Sequence, residues 1–391
     1  MGREPGYSID AKNSFFEITR SVGLFRVGRY FQRNNQKILI LCYHGVSKAD
    51  EHLWHPALYI PRSLFRQRLQ ILRDFGYQVL PLSTALEQLN SGTLHGRTAA
   101  ITFDDGWHDF YTEAWPELRS FGYPATVYQT TYYSSYSRPV FDPACRYLLW
   151  KGRGKTLRNN KITGIENAFT LDSPGALDSA FCAIQARLRK LGSSADDKDC
   201  ILAKLAEHLD VDFGQVLNSR LLHLMNASEM AEVSNAGIDI QLHTHRHRLP
   251  LEKKLFLEEI ETNREIIEAA TGKRAVHFCY PNGNHRPEFL TWLKSAGVLS
   301  ATTCETGCVS HQSERLLLPR VTDSATVSQA RFESWLSGVG LLVSAWKRKT
   351  LSLSGRDRDD ANEVSLEVTA NGNQPTGETC SKAMARAAGG N

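Results

Sequence analysis

The sequence predicts an α/β fold in which parallel strands alternate with helices. Three observations carry that prediction. Short, nearly continuous apolar runs at residues 37–42 and 99–103 read as strands covered on both faces. Amphipathic helical patterns separate them, clearest over residues 61–76, where Leu64, Phe65, Leu69, Ile71 and Leu72 stand among Arg and Gln before Gly76. The strand-like runs also end in polar, chemistry-bearing residues, as the carboxyl ends of strands do in α/β folds. With 391 residues, 41% of them hydrophobic, the chain can bury one large core or two smaller ones.

The chain is organised around Ala-Ala-Ile-Thr-Phe-Asp-Asp-Gly at residues 99–106. An apolar, β-branched strand stops abruptly at two adjacent carboxylates and a glycine. Consecutive side chains of an extended segment point in opposite directions, so Asp104 and Asp105 can take separate jobs. Asp-Asp-Gly is equally a good turn, and taken alone the motif does not decide between the two readings.

The other elements follow in order. The strand at 37–42 ends at Tyr43-His44-Gly45, which puts a histidine at the end of a core strand. Residues 77–80 form a strand, 82–89 a helix, 111–121 a helix and 125–129 a strand. From 134 to 220 the pattern changes, with Tyr132, Tyr133 and Tyr136 before it, a basic stretch at 151–161 and helical periodicity at 174–191 and 199–209. This is a mainly helical insertion at the rim, expected either to shape a substrate cleft or merely to fill space. Regular order resumes with a helix at 227–236 capped by Gly237 and a strand at 238–242. His243-Thr244-His245-Arg246-His247 comes next, then a helix at 251–270 with Leu255, Ile260, Ile266 and Ile267 inward. A strand at 276–280 runs into Pro281-Asn282-Gly283, and residues 316–321 are the last strand-like piece.

Both ends lie outside the predicted core, residues 36–330. Within 1–35, Phe15, Ile18, Val22 and Phe25 line one helical face with Arg20, Arg26, Arg29 and Arg33 around it. Such a helix either lies on an anionic membrane or packs on its own domain. Within 331–353, an apolar run from Trp335 to Trp346 precedes Lys347-Arg348-Lys349, which suits an interfacial anchor or a docked terminal helix. Residues 354–391 have no periodicity and are expected to be disordered. No stretch reaches the roughly 18 apolar residues of a bilayer span, and the first residues carry no signal-peptide pattern. Eight scattered cysteines indicate reduced thiols, although Cys304 and Cys308 are close enough in sequence to pair or to share a metal. The expected location is the cytoplasm, with peripheral contact at the inner membrane face. Forty-six Lys and Arg against 42 Asp and Glu, with no basic–aromatic stripe, argue against a nucleic-acid partner.

The chemistry rests on two motifs at the ends of separate strands. Asp104-Asp105 supplies carboxylates, and His243…His247 supplies two imidazoles that a helical or tight turn brings to one side. Two histidines and one carboxylate make a three-ligand set for a divalent metal with a position left open for water or substrate. Such a metal brings the pKa of bound water toward ~7. One aspartate can ligate while its neighbour accepts the proton. His245, between the ligands, is expected to point away. A polar loop that binds metal adventitiously is the plainer reading of the histidine run.

Thr102-Phe103-Asp104-Asp105-Gly106 with His243-Thr244-x-x-His247 resembles the signature pair of polysaccharide deacetylases, the NodB-homology group of carbohydrate esterases. The resemblance runs from about Ile38 to Val321 and includes Leu41-Cys42-Tyr43-His44-Gly45-Val46, Phe75-Gly76-Tyr77, Pro124-Ala125-Thr126 and Phe278-Cys279-Tyr280-Pro281-Asn282-Gly283. It implies a distorted (β/α) barrel with fewer than eight repeats. It makes Asp104 the catalytic base, and Asp105, His243 and His247 the ligands of Zn2+, with Co2+ or Mn2+ also suited. The implied reaction hydrolyses an N-acetyl group from an amino sugar of a glycan or glycan precursor. Tyr280 and Asn282 would lie at the substrate, with a backbone N–H near Asn282 helping to hold the oxyanion.

Two departures stand out. Cys279 occupies the position where the family has the arginine that braces the base, and no Leu-x-His follows Gly283 to supply the general acid. Members with circularly permuted motifs carry an N-terminal Tyr-His instead, which His44 matches, so His44 is assigned as the acid. Arg320, in Leu-Pro-Arg, is the candidate for the brace. The 138 positions separating Asp105 from His243 are long for the family, and the insertion accounts for them. A lipid-linked precursor fits the two terminal segments. Two further readings are a deformylase acting on a lipid-linked formamido sugar and a glycan-binding module with a degenerate site.

Overall fold

The computed structural model describes residues 36–343 apart from 137, 159–167 and 193, together with 16–21, 23, 25 and 28. The expectations for the rest of 1–35, for Trp346 and the basic triplet after it, and for the tail from 354 fall outside the described residues.

These residues form two compact units, one running to Thr131 and resuming at Ala227, the other spanning Tyr132–Asn226. The first holds strands β1 (Ile38–Tyr43), β2 (Gly45–Ser47), β3 (Tyr59–Pro61), β4 (Tyr77–Val79), β5 (Arg97–Phe103) and β6 (Thr126–Gln129). The second contributes only the short pair β7 (Thr156–Leu157) and β8 (Phe169–Thr170). The first then resumes with β9 (Asp239–Leu242), β10 (His277–Cys279), β11 (Ser300–Thr306) and β12 (Leu318–Thr322).

β1 and β5 show why the apolar runs of the sequence are nearly unbroken. All six residues of β1 and the last six of β5 are buried, one face turned to the interior and the other to the surrounding helices. The two strands pair in parallel from Ile38↔Thr98 to Tyr43↔Phe103. The neighbours run β1-β12-β11-β10-β9-β6-β5, and the β1–β5 pairing closes the ring. This is a seven-stranded parallel barrel, a (β/α) barrel with fewer than eight repeats. β4 lies outside the ring, paired with the first half of β5 (Val79↔Ala99), while β6 takes the second half (Phe103↔Val127). Parallel neighbours need crossover connections, and helices such as Leu82–Ser91 supply them. Leu82, Ala85, Leu86 and Leu89 of that helix join Ile38, Ile40, Ala100 and Leu318 in one apolar cluster.

β11 is a strand the sequence pattern does not announce. Ser-Ala-Thr-Thr-Cys-Glu-Thr has neither an apolar run nor strict alternation, and its pairing with β12 shifts register between Thr302 and Thr306. Its threonines Thr302 and Thr303 are nevertheless buried, and without β11 the ring would not close. The helix Lys253–Thr271 also differs from its apolar pattern. Leu255 is exposed, and Glu259 and Asn263 share the buried stripe with Phe256, Ile260 and Ile267.

At the chain's beginning, Phe16 and Phe25 are buried against Ala330 of the helix Gln329–Leu336, and Arg20 pairs with Glu333 at 2.9 Å. Of the predicted face, Ile18 is exposed and Phe25 is buried. Trp335 and Leu336 are buried as well, which removes them from any surface anchor. Among the described residues, no helix is long and apolar enough to cross a membrane.

The unit Tyr132–Asn226 is mainly helical: Phe141–Lys151, Pro174–Leu191, Ala195–His208 and Phe213–Asn218. Its helix starts follow local rules. Ser173 accepts from Ala176 N with Pro174 in the first turn, and Ser194 and Asp197 form a reciprocal capping box.

Candidate active site

Because the strands run parallel, their carboxyl ends share one rim, and His44, Asp104, His243 and Tyr280 each follow the last residue of β1, β5, β9 and β10. The loops there are sharply bent. Asp105, Thr244, His247 and Asn282 hold φ of 68°, 64°, 53° and 56°, conformations uncommon outside glycine and concentrated at functional sites. Gly106 has φ 79°, and a Cβ there would fall 2.0 Å from Gln129 Oε1, so only glycine fits the turn.

Asp105 faces both imidazoles. Its Oδ1 lies 3.3 Å from His243 Nε2 and 3.3 Å from His247 Nε2, and Trp107 Nε1–H donates to its Oδ2 at 2.9 Å. The ring of His243 is set from behind by its Nδ1, 2.8 Å from the Cys279 carbonyl, and its backbone N–H donates to Asn263 Oδ1. Asn263 in turn donates to Gln129 O and Thr131 Oγ1, tying β6 to β9. His245 points away as expected, its Nδ1 2.9 Å from Thr131 Oγ1. Glu259, buried, accepts from the backbone N–H of Arg246 and from the side chains of Arg246 and Arg248, which fixes the histidine loop. Sequence reasoning missed Trp107, Asn263 and Glu259; the available signal was two polar residues on the inward stripe of a helix.

Asp104 points the other way, into the barrel. Arg320 Nη1 donates to its Oδ1 at 2.7 Å and Nη2 to its Oδ2 at 2.8 Å. Burial alone would push the carboxyl up, but the Arg320 charge and its two bonds outweigh burial and hold it far below the usual carboxylate range. His44 Nε2 stands 3.8 Å from Asp104 Oδ2, and His44 Nδ1 is buried with no hydrogen-bond partner among the described residues. Arg320, the candidate brace, thus does reach Asp104, from β12 rather than from β10. Tyr280 is fully buried with its ring edge-on to Phe278, so its side chain is not on the open surface where a substrate would meet it. Asn282 sits half-buried in the turn Pro281–Gly283.

Among the described residues, three groups of side chains lie close enough to share one ion: Cys42–His44–Asp104, Asp104–His243–Cys279 and Asp105–His243–His247. Arg320 decides between them. Its guanidinium is bonded to both oxygens of Asp104 and lies 3.1 Å from Cys279 Sγ, so a cation in either of the first two would meet a fixed positive charge. The third is free of that conflict and its spacing fits. Ligand atoms in a tetrahedral zinc site stand about 3.3 Å apart, matching both Asp105–imidazole distances. Burial opposes ionisation of Asp105, yet its bond to His243 and the neighbouring imidazoles hold it down to about 2, while burial holds His247 down to about 4. Burial would lower His243, but the neighbouring Cys279 and its bond to Asp105 push it well up, so a cation, which needs carboxylate and neutral imidazole, would have to displace the His243 proton. Cys304 and Cys308, like every described cysteine, are free thiols.

Residues 205–301 match the family model described as polysaccharide deacetylase. That stretch of the chain is similar to polysaccharide deacetylases. Among curated relatives of this chain, YxkH of Bacillus subtilis (strain 168), named for that family, is 33% identical over 93 residues, 24% of this chain and 31% of that protein. The poly-beta-1,6-N-acetyl-D-glucosamine N-deacetylase of Escherichia coli (strain K12) is 31% identical over 86 residues, 22% of this chain. The match spans only 12% of that second protein's length. Solved structures are also similar to this chain. The Streptococcus pyogenes deacetylase PplD in complex with acetate covers 75% of this chain and 96% of its own at 19% identity and TM-score 0.49. IcaB from Ammonifex degensii covers 78% and 98% at 17% identity and TM-score 0.48.

Proposed function

We propose that this protein is a metal-dependent hydrolase that removes an N-acetyl group from an amino sugar of a glycan. The observation that carries the reading is the division of labour between adjacent aspartates: Asp105 faces two imidazoles at 3.3 Å, and Asp104 is clamped by Arg320 beside them. The domain match and the relatives named as N-deacetylases support the same reaction class.

Asp105, His243 and His247 would hold the ion, which when bound supplies Lewis-acid polarisation of the acyl oxygen and an acidified water. Asp104, ionised and fixed in orientation by Arg320, accepts the proton of the attacking water. His44, 3.8 Å from Asp104 Oδ2 and partly open to solvent, is the group that would donate a proton to the departing amine. The backbone N–H of Asn282 would help to hold the developing oxyanion, those of Gly283 and Asn284 being spent within the turn on Tyr280 O and Pro281 O.

The test is acetate release from N-acetylglucosamine oligomers in both β-1,4 and β-1,6 linkage, alongside metal content by mass spectrometry. We expect acetate, one divalent ion per chain, and loss of both in His247→Ala. Formate release from a formamido sugar without acetate release would overturn the acetyl assignment; full activity in a metal-free preparation would overturn the mechanism.

A further inference from the structure

The guanidinium of Arg320 is fully buried, and a buried arginine must place five N–H groups. Four have oxygen acceptors: Nε on Thr303 O at 3.0 Å, Nη1 on Asp104 Oδ1 and Thr102 Oγ1, and Nη2 on Asp104 Oδ2. The fifth, the other hydrogen of Nη2, points to Cys279 Sγ at 3.1 Å. The same sulfur lies 3.4 Å from Asp104 Oδ2, and its own S–H has the choice of that carboxylate or Tyr280 O at 3.7 Å. The charged and nearer acceptor wins. Cys42 Sγ approaches the same oxygen from β1 at 3.6 Å. Meanwhile the main-chain carbonyl of Cys279 meets His243 Nδ1.

We propose that Cys279 is a positioning residue for Asp104: its sulfur accepts the last N–H of Arg320 and its S–H donates to Asp104 Oδ2, which locks carboxylate and guanidinium into one orientation. Its backbone carbonyl sets the ring of His243 through a contact that no side-chain change removes. One residue at the end of β10 therefore registers the base against the histidine. A thiol is suited to this place because it both donates and accepts while leaving room for the guanidinium that arrives from β12. The proposal rests on the reading of Asp104 as the base.

The test compares the parent with Cys279→Ala and Cys279→Ser, using acetate release from a β-1,6-linked N-acetylglucosamine pentamer and cobalt(II) titration. Removing the sulfur is expected to lower kcat roughly tenfold, the effect of one bond to a charged group, with KM within about twofold. Serine, which keeps a donor and an acceptor, should recover most of the loss. Cobalt(II) affinity should stay within about twofold in all three, since the hydrogen bond that holds His243 Nδ1 is to the Cys279 carbonyl. An active parent whose Cys279→Ala variant keeps full kcat overturns this proposal alone. So does a serine variant as slow as the alanine one, or a loss of turnover that tracks a loss of cobalt(II) binding. A parent that releases no acetate from any N-acetylated oligomer overturns the functional reading and this proposal with it.

Discussion

Arg320 and Asp104 are joined by two parallel N–H···O bonds of 2.7 and 2.8 Å, although 216 positions separate them in the chain. Both side chains are buried, and the geometry is the fork-to-fork pairing that only a planar guanidinium makes. Lysine offers a point charge in place of the fork. We expect Arg320→Lys to lower kcat for acetate release by roughly 10- to 100-fold, the worth of one or two lost charge-assisted bonds. Arg320→Ala leaves a buried carboxylate unpaired and should also cost about 3–5 kcal/mol of folding stability, read as a lower urea midpoint. Parent-like turnover in the lysine variant would show that the fork does not orient the base.

The ligand set yields a prediction that needs no substrate. Asp105→Ala, His243→Ala and His247→Ala each remove one of the three proposed donors, a group with no fourth protein ligand among the described residues. Each variant should lose stoichiometric metal in mass spectrometry after dialysis, while His245→Ala, whose ring bonds to Thr131, should keep it. Chelation should abolish acetate release in the parent, and added Zn2+ or Co2+ should restore it. Equal metal retention in His245→Ala and His247→Ala would break the assignment.

How much of this was legible beforehand depended on where the information sits. Asp104, Asp105, His243 and His247 stand at the ends of apolar runs, so burial pattern and residue type pointed to the same places. Arg320 could be named only as a candidate, because a side chain that crosses a barrel leaves no periodic trace. β11 was missed for a related reason: its threonines are buried by closure of the ring, a constraint that exists only once the other six strands are in place. Asn263 and Glu259 were hidden because local pattern assigns inward helix positions to apolar residues, and here the loop above them needed hydrogen-bond partners. Leu255 was placed inward and is exposed for the complementary reason.

The turn after Asp105 should be intolerant of any side chain. Gly106 combines φ 79° with a Cβ direction that runs into Gln129, and Gln129 is itself buried with its Nε2 donating to Gly106 O and Thr130 O. It cannot swing aside without giving up those bonds. Gly106→Ala should therefore cost roughly 1–3 kcal/mol from backbone strain alone and displace Asp105. The expected result is a lower urea midpoint together with weakened cobalt(II) binding. An alanine variant with parent stability and parent cobalt(II) affinity would contradict the steric argument.

Asp109 gives a pH-dependent prediction away from the ligands. Its buried carboxyl accepts the Val46 N–H at 3.0 Å, two residues beyond His44. Burial first, and then the charge of Glu51, pushes it well above the ordinary carboxylate range. A carboxyl whose folded pKa exceeds its unfolded value of about 4 holds its proton more tightly in the folded state. Its contribution to stability is fully present below that unfolded value and is lost as pH rises through the shifted one. Asparagine keeps an acceptor for Val46 and has no proton to lose. The melting temperature of Asp109→Asn relative to the parent should therefore rise from pH 5 to pH 8, with the variant at its greatest advantage at the alkaline end. A difference that stays flat or falls across that range would mean the folded protein ionises Asp109 at no cost, and that the loop carrying His44 is held by a charge rather than by a neutral hydrogen bond.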